Sequence, residues 1–350
     1  MPVSGNKEEI TAETQVARIF EWRRGFNAMY LIDLGLHLGI FHALADAPGS
    51  SPEVLAVRLG LQTHHVDVWC KTAYAQEILD ADDNGGFRLA PFFESILANP
   101  NHPRYLGGYV RLGTEVAAED FHRCREAFRT GKAVPFQGRG EAFAQIVAQA
   151  TQGLQVLTAR KILPGLADLR QRLDAGGTIL EIGCGTGNLL LELAKAFPSA
   201  RCVGIDIDET GLAIAREKIA KAGLDTRVEV GQSAPETVLE PASVDACVMI
   251  EVLHEIAPTL RPTLVRTAAA TLRPGGWMVI VDETYPSTLE EMRRPEFRFP
   301  VQTGFEELVW GNVIPTREEQ EALLREAGFA GPIGREIVGE GFTVLTTQRQ

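Results

Sequence analysis

The stretch TILEIGCGTGNL, residues 178–189, decides the fold of this chain. An apolar run ends in an acid, leads into glycines at alternate positions, Gly183, Gly185 and Gly187, and continues into a second apolar run. We interpret it as a buried strand that turns sharply into a helix, because glycine permits a tight turn and lets a ligand approach the backbone closely. The spacing is GxGxG, and Asn188 stands where a dinucleotide fingerprint GxGxxG requires glycine.

The chain from Gly177 onward alternates between strand-like and helix-like segments. Strands are predicted near 178–182, 201–206, 227–231, 244–250 and 277–282, helices near 188–197, 209–222, 257–272 and 316–327, and a closing hairpin near 337–346. Such alternation predicts a parallel sheet with helices on both faces.

The spacing of apolar residues over 1–100 indicates helices instead. Helices are predicted over 15–30 and 31–45, and the second is apolar nearly all round, so that burial between two subunits would suit it. Ser51 and Gly60 then bracket a short helix, and Thr63 caps another that runs to about Leu79. Asn84-Gly85-Gly86 follows as a hairpin turn.

This order of elements predicts a winged helix, which raises the question of DNA binding. A helix that reads a groove needs several cationic donors. The second helix offers a single lysine, Lys71, and the wing is acidic. The net charge of the 350-residue chain is −12, which opposes nucleic acid and acidic membranes as partners.

The remaining composition indicates a cytoplasmic protein of several domains. We find no apolar run of membrane-spanning length, no signal or transit peptide in the polar start MPVSGNKEEI, and five cysteines without paired spacing. We expect a winged-helix-like domain over 1–100, a helical connector or lid over 101–175, and a cofactor-binding domain over 176–350.

Asp206 ends the second predicted strand, nineteen residues after Gly187. In an open α/β sheet, ligands bind beyond the carboxyl ends of the strands, where an acid can accept both hydroxyls of a ribose. An adenosine is part of both nicotinamide cofactors and S-adenosylmethionine, so this acid alone leaves both open.

An ordered motif series separates the two cofactors. EIGCGTGNL is followed by GIDID, VEVGQSAPE, VDACVMIEVLHEI and LRPGGWMVIVDE. In this order the motifs resemble class I S-adenosylmethionine-dependent methyltransferases, and the whole layout resembles small-molecule O-methyltransferases with an N-terminal winged-helix dimerisation domain. The resemblance implies a doubly wound, seven-stranded Rossmann-like sheet, S-adenosylmethionine as cofactor, a small-molecule acceptor and a homodimer.

The resemblance also implies cofactor-binding residues. The three glycines would pack against the methionine and ribose part of the cofactor. Glu181 would lie near the methionine ammonium group, and Asp206 would bind the ribose hydroxyls. The remaining expected contacts are Ile207 on the adenine face, Gln232 and Ser233 where many relatives have an aspartate that binds the adenine amino group, and Glu251 at the end of the fourth strand.

The catalytic candidates follow from the same resemblance. His254 would be the general base, since the pKa of histidine lies near neutrality, with Glu255 beside it and Asp282 to orient it. Ile256 replaces the usual tryptophan, and apolar Ile314 stands near the place of a second supporting acid. Weaker expectations for the substrate pocket are Phe305, Trp310, Tyr285 and Phe136, and no metal site is expected.

Four alternatives stay open at this point. His254 could instead cap a helix that begins near Pro258, and transfer could go to nitrogen or carbon by proximity without a base. A nicotinamide-dependent dehydrogenase is a rival that Asn188 opposes. A non-catalytic S-adenosylmethionine sensor, with a DNA-binding winged helix, is the other.

Overall fold

The structure is a computed structural model, and it describes residues 10–232 and 240–350. The chain forms two compact units, Met1–Thr114 and Glu115–Gln350. The three-part division at residues 100 and 175 stays a prediction.

The first unit is a small helical body with one hairpin. In chain order its elements are α1 (Ala12–His37), α2 (Ile40–Asp46), α3 (Pro52–Leu59), α4 (Thr63–Ala75), β1 (Leu79–Ala81), β2 (Phe87–Leu89), a π-helical turn (Glu94–Ala98) and α5 (Gly107–Arg111). This is the order predicted for a winged helix. The hairpin turns at Asn84-Gly85-Gly86, as the sequence indicates.

Several predicted boundaries in this unit are wrong. The first two helices divide at Gly39, not near residue 30, because Gly39 takes a left-handed conformation with φ of 71°. Thr63 does not cap its helix, since Gln62 occupies the N-cap position without a side-chain bond. The same helix ends at Ala75, short of Leu79. The short helix between Ser51 and Gly60 is confirmed: the Ser51 hydroxyl accepts from the Val54 amide.

Helix α1 carries large apolar side chains that stay exposed. At three- and four-residue intervals they are Val16, Ile19, Trp22, Phe26, Tyr30 and Leu34, and Trp22 is 63% exposed. Among the described residues no single helix is long and apolar enough to cross a membrane. Helices α1 and α2, bent by 65° at their junction, meet that requirement only as a pair and only by length and composition.

The second unit consists of a sheet and its covering helices. The helices are α6 (Ala118–Thr130), α7 (Glu141–Ala150), α8 (Gln152–Leu157), α9 (Leu163–Gly165), α10 (Ala167–Asp174), α11 (Asn188–Ala196), α12 (Glu209–Lys221), α13 (Arg261–Thr271), α14 (Arg298–Trp310) and α15 (Arg317–Glu326). The strands are β3 (Thr178–Ile182), β4 (Arg201–Asp206), β5 (Val228–Gln232), β6 (Val244–Ile250), β7 (Leu272–Glu283), β8 (Gly334–Val338) and β9 (Phe342–Gln348). π-Helical segments lie at Leu112–Ala117 and Thr158–Ile162, and 3₁₀ turns at Glu291–Arg293 and Pro295–Phe297.

The seven strands run in the order β5-β4-β3-β6-β7-β9-β8. All neighbours pair in parallel except β9, which is antiparallel to both β7 and β8. The expected doubly wound Rossmann-like sheet is confirmed. Two boundaries differ: α13 begins at Arg261, not near residue 257, and β7 begins at Leu272, not near residue 277.

Strand β6 shows how the sheet is buried on both faces. Its seven residues are all buried, and alternate ones enter the two apolar clusters on opposite faces. Ala246 and Val248 join the cluster under α11, whereas Cys247 and Met249 join the cluster under α13 and α15. The strand order reverses around β3, so the carboxyl ends of β3, β4 and β6 form the crevice where a ligand is expected.

Candidate active site

The glycine turn after β3 depends on left-handed backbone. Gly183, Gly185 and Gly187 have φ angles of 74°, 47° and 75°, a region that costs other residues about 1–2 kcal/mol. A Cβ atom on Gly183 would also lie 2.4 Å from a methyl group of Val252. A Cβ atom on Gly185 would meet no atom of residues 10–232 and 240–350 within 4 Å. The turn is therefore packed behind Gly183 and open beside Gly185.

Asp206, at the end of β4, holds this turn in place. One carboxylate oxygen accepts a hydrogen bond from the Gly185 amide at 2.7 Å, and the other accepts from the Asp208 amide at 2.8 Å. The sequence suggested only a ligand contact for Asp206. The bond to Gly185 adds a second task, because it fixes the turn before any ligand arrives.

Glu181 lies at the buried end of β3 with one oxygen unsatisfied. The residue is 3% exposed, and its Oε2 atom has no hydrogen-bond partner among the described residues. Burial raises the pKa of Glu181 well above its usual range, and the charge of Asp206 raises it further. A buried carboxylate of this kind favours a cationic partner, which fits the ammonium group of a methionine moiety.

The expected adenine contacts follow β4 and β5. Ile207 is 60% exposed, so its side chain is free to cover a flat ring. The Gln232 side-chain amide donates to the Ile207 carbonyl at 3.1 Å, which leaves the Gln232 amide oxygen as an acceptor. Ser233 lies outside the described residues.

Glu251 follows β6 in a strained backbone conformation. Its φ is 56°, which is uncommon for a residue other than glycine and often marks a functional site. The Glu251 Oε1 atom is buried and has no partner among the described residues. Burial, and then the charges of Glu283 and Asp282, raise the pKa of Glu251 well above its usual range.

His254 is buried, and its ring is held by Asp282. The Nδ1 atom lies 2.7 Å from Asp282 Oδ1, and the His254 backbone amide donates to Asp282 Oδ2 at 3.2 Å. The structure does not place His254 as a helix cap near Pro258. It lies in a turn between β6 and α13, and Arg261 fixes that turn by donating to the His254 carbonyl at 3.2 Å.

Glu307 is the acid that the sequence analysis missed. It lies on α14, seven residues before Ile314, and its Oε1 atom is 3.8 Å from His254 Nε2. The Asn312 side chain donates to its other oxygen at 2.7 Å. In the sequence, Glu307 belongs to no motif, and its spacing from His254 gives no sign that the two side chains meet. The signal that could have indicated a role for Glu307 is a glutamate at a buried position of a helix.

Carboxyl groups surround the imidazole on both sides. Glu283 Oε2 lies 3.5 Å from Nδ1, beside Asp282, and Glu307 faces Nε2. Burial alone would lower the pKa of His254, but the charges of Asp282, Glu307 and Glu283 outweigh burial and raise it well above 6.5. Burial raises the pKa of Glu283 to about 7, so not all of these acids are charged at neutral pH.

Glu255 directly follows His254 in the turn after β6. Burial raises its pKa to about 8, and its carboxyl group also senses the charges of His254, Glu307 and Asp206. The ring of His254 is held by Asp282, the acid expected to orient it.

The expected pocket residues fall into an aromatic cluster around α14. Phe136 meets Trp310 edge-on at 5.1 Å and Phe143 at 4.9 Å, and Phe121 stacks on Phe305 at 5.4 Å. Tyr285 contacts the same helix at Gly304. Phe121 and Phe143 were not among the residues expected from the sequence, and Phe305 and Trp310 lie on α14 together with Glu307.

Comparisons with known proteins agree with this geometry. A methyltransferase domain family matches residues 179–276. The chain is 27% identical to 3-hydroxy-5-methyl-1-naphthoate 3-O-methyltransferase from Streptomyces sahachiroi, over 70% of each protein. The chain is an S-adenosylmethionine-dependent methyltransferase.

Further similarities of this methyltransferase extend over nearly its whole length. It is 23% identical to L-tyrosine C(3)-methyltransferase from Streptomyces lavendulae, over 91% of this chain and 88% of that protein. Its fold matches human N-acetylserotonin methyltransferase, solved with S-adenosylmethionine, at a TM-score of 0.79 and 18% identity over 98% and 99% of the two chains. At that identity the match concerns the fold.

The residues on the crevice fit S-adenosylmethionine. The unsatisfied oxygen of Glu181 suits the methionine ammonium group, and the open side of Gly185 leaves room for close approach to the backbone. The cofactor supplies an electrophilic methyl group on a sulfonium ion when it is bound. The methyltransferase itself must align an acceptor, exclude water and take up a proton.

Proposed function

We propose that this methyltransferase methylates a hydroxyl group of a small aromatic or polyketide-like molecule, with His254 as the general base. The observation that carries the proposal is the arrangement Asp282–His254–Glu307. One ring nitrogen is fixed at 2.7 Å by a carboxylate, and among the described residues the other faces a carboxylate at 3.8 Å, beyond hydrogen-bond distance. An acceptor hydroxyl can use the second nitrogen.

The proposed step forms one bond, breaks one bond and moves one proton. With S-adenosylmethionine held by Glu181, the glycine turn and Asp206, the acceptor oxygen would form its bond to the methyl carbon as the bond from carbon to sulfur breaks, which would leave a neutral thioether. The hydroxyl proton goes to His254 Nε2, and the imidazolium that forms is stabilised by Asp282 and Glu307. The ring has to be neutral to accept this proton. In the neutral ring Asp282 selects the tautomer with its proton on Nδ1, which leaves Nε2 as the acceptor, and the raised pKa of His254 makes this form more abundant at higher pH.

The aromatic cluster supports an aromatic acceptor. Trp310 and Phe305 lie on the helix that carries Glu307, and Phe136 contacts Trp310. Aromatic side chains offer flat apolar walls and favour stacking with aromatic rings. The Streptomyces sahachiroi relative, whose name gives a hydroxylated naphthoate as its acceptor, supports the same class.

Transfer to an aromatic carbon is the second candidate. Removal of a phenol proton by His254 also places negative charge on the ortho carbons of the ring, so the same base would serve both reactions. The similarity to L-tyrosine C(3)-methyltransferase over most of both chains favours this alternative. The position of the ring relative to the methyl group would decide between oxygen and carbon.

We further propose a homodimer in the cytoplasm. The exposed apolar side chains of α1 support the dimer, because a helix with such a stripe gains stability when a second copy covers it. The five cysteines are free in the structure, as in a reducing compartment. Light scattering tests the dimer: Phe26→Asp should give a monomer, and a parent chain that is already monomeric contradicts it.

Turnover with labelled cofactor tests the function. The protein is incubated with S-adenosylmethionine carrying a trideuterated methyl group and a panel of hydroxylated naphthalenes, and products are identified by mass spectrometry and NMR. We expect an aryl methyl ether, and His254→Ala should lower turnover at least a hundredfold. His122→Ala, at an exposed histidine, is the matched control. A loss of only threefold in His254→Ala would reduce His254 to a positioning role.

A further inference from the structure

Lys218 makes two hydrogen bonds to the segment that forms the cofactor turn. It lies in the last part of α12, and its ammonium group donates to Thr186 Oγ1 at 2.9 Å and to Asn188 Oδ1 at 2.7 Å. Thr186 stands between Gly185 and Gly187, and Asn188 is the first residue of α11. One cation therefore bridges the turn and the helix that follows it.

The environment of Lys218 differs from that of other lysines on α12. Lys218 is partly buried, and burial lowers the pKa of its ammonium group. No carboxylate of the described residues forms an ion pair with it. Lys221, one turn further on, is exposed and pairs with Glu217 at 2.6 Å. The partly buried ammonium group of Lys218 thus contacts neutral oxygens of the turn, whereas Lys221 forms a surface ion pair.

The bridge reaches a third element through Asn188. The Asn188 side-chain nitrogen donates to the Ala148 carbonyl of α7 at 3.3 Å. Thr186 is 4% exposed, so its hydroxyl could find few other partners. Lys218, Thr186, Asn188 and α7 form one connected set of polar contacts on the turn.

We infer that Lys218 is a positioning residue that holds the glycine turn in the shape that binds S-adenosylmethionine. A segment with three glycines loses more conformational freedom on ordering than a segment of the same length without glycine. Ordering it in advance improves affinity, because less entropy is lost on binding. Lys218 supplies that order from behind the turn, whereas Asp206 supplies it at the Gly185 amide.

Binding of S-adenosylhomocysteine measures this effect without an acceptor. Calorimetry compares the parent with Lys218→Met, which keeps length but removes the donors, and with Lys221→Met as the matched control on the same helix. We expect Lys218→Met to weaken binding about tenfold, as loss of two hydrogen bonds typically does, and Lys221→Met to bind like the parent. Unchanged affinity in Lys218→Met overturns the inference.

A double-mutant cycle separates positioning from a general loss of structure. Thr186→Val keeps the shape of the side chain and removes one acceptor, so it should weaken binding severalfold. If Lys218 acts through the turn, the double variant binds about as well as Lys218→Met alone, and Lys218→Arg recovers most of the affinity. Fully additive losses, or no recovery with arginine, contradict the inference.

Thr186→Val also keeps the inference falsifiable if Lys218→Met fails to fold. In that case parent-like affinity in Thr186→Val would overturn it, because the bond between Thr186 and Lys218 would then have no effect on the turn. The inference rests on cofactor use and is independent of which acceptor is methylated.

Discussion

Two glycines of the cofactor turn should respond differently to the same substitution, one mainly in stability and the other mainly in cofactor binding. Gly183→Ala and Gly185→Ala both place alanine in left-handed backbone, which costs about 1–2 kcal/mol of stability. At Gly183 the new methyl group also overlaps Val252 at 2.4 Å, and overpacking typically adds about 1–3 kcal/mol. We therefore expect Gly183→Ala to lower the free energy of unfolding by about 2–5 kcal/mol.

At Gly185 the added methyl group meets no atom within 4 Å in the part of the chain that the structure describes. It occupies the side of the turn from which we expect the cofactor to approach. Gly185→Ala should therefore lower the free energy of unfolding by only about 1–2 kcal/mol, yet weaken S-adenosylhomocysteine binding at least tenfold. Urea unfolding and calorimetry measure the two quantities separately.

Val252→Ala provides the control for the overlap. The double variant with Gly183→Ala should lose less stability than the sum of the losses of the two single variants. The difference should be at least about 1 kcal/mol, because the smaller side chain at position 252 makes room for the methyl group. The reasoning is refuted if the two alanine variants lose stability equally, or if Gly185→Ala binds S-adenosylhomocysteine as tightly as the parent.

Three further predictions concern the charges around His254. The pKa of Glu283 rises from 4.5 to about 7 on folding. The unfolded chain therefore releases this proton at lower pH than the folded chain, and stability falls as the pH rises from 4.5 to about 7. Between pH 5.5 and 8 the free energy of unfolding should drop by about 2 kcal/mol more in the parent than in Glu283→Gln. Asp282→Asn should lower the pKa of His254, observed by NMR titration of its ring, because a negative charge that favours the imidazolium is lost; an unchanged pKa contradicts the electrostatic account. Glu251, His254, Asp282 and Glu283 place possible metal-ligand atoms within 4.8 Å of one another. The 2.7 Å contact between His254 Nδ1 and Asp282 leaves no space for an ion between these two groups. Chelation with EDTA should therefore leave turnover unchanged.

Much of the fold of the second unit could be predicted from the sequence, because local patterns determine it. Strand β3 and the turn after it carry their own signals, an apolar run and glycines where the backbone is left-handed. The ends of β4 and β6 followed from the same periodicity. The break at Gly39 was missed because the apolar pattern continues across it, and a single glycine does not reveal which backbone conformation it adopts.

The site could be predicted only where each residue belongs to a motif. His254 and Asp282 follow different strands at positions that the motif series supplies, and the structure brings them to 2.7 Å. Glu307 and Lys218 belong to helices with no motif, and their partners lie 53 and about 30 residues away in the chain. Such contacts depend on how helices pack on the sheet, which periodicity does not specify.

The antiparallel strand β9 has a consequence for how the enzyme is made. Strand β7, which ends in Asp282 and Glu283, pairs with β6 on one side and with β9 on the other. Of the seven strands of this sheet, β9 is synthesised last, yet it lies inside the sheet between β7 and β8. A nascent chain on the ribosome thus has its cofactor turn long before β7 gains its second neighbour. The cofactor half can fold during translation, whereas the acids behind His254 are secured only after residues 342–348 have left the exit tunnel.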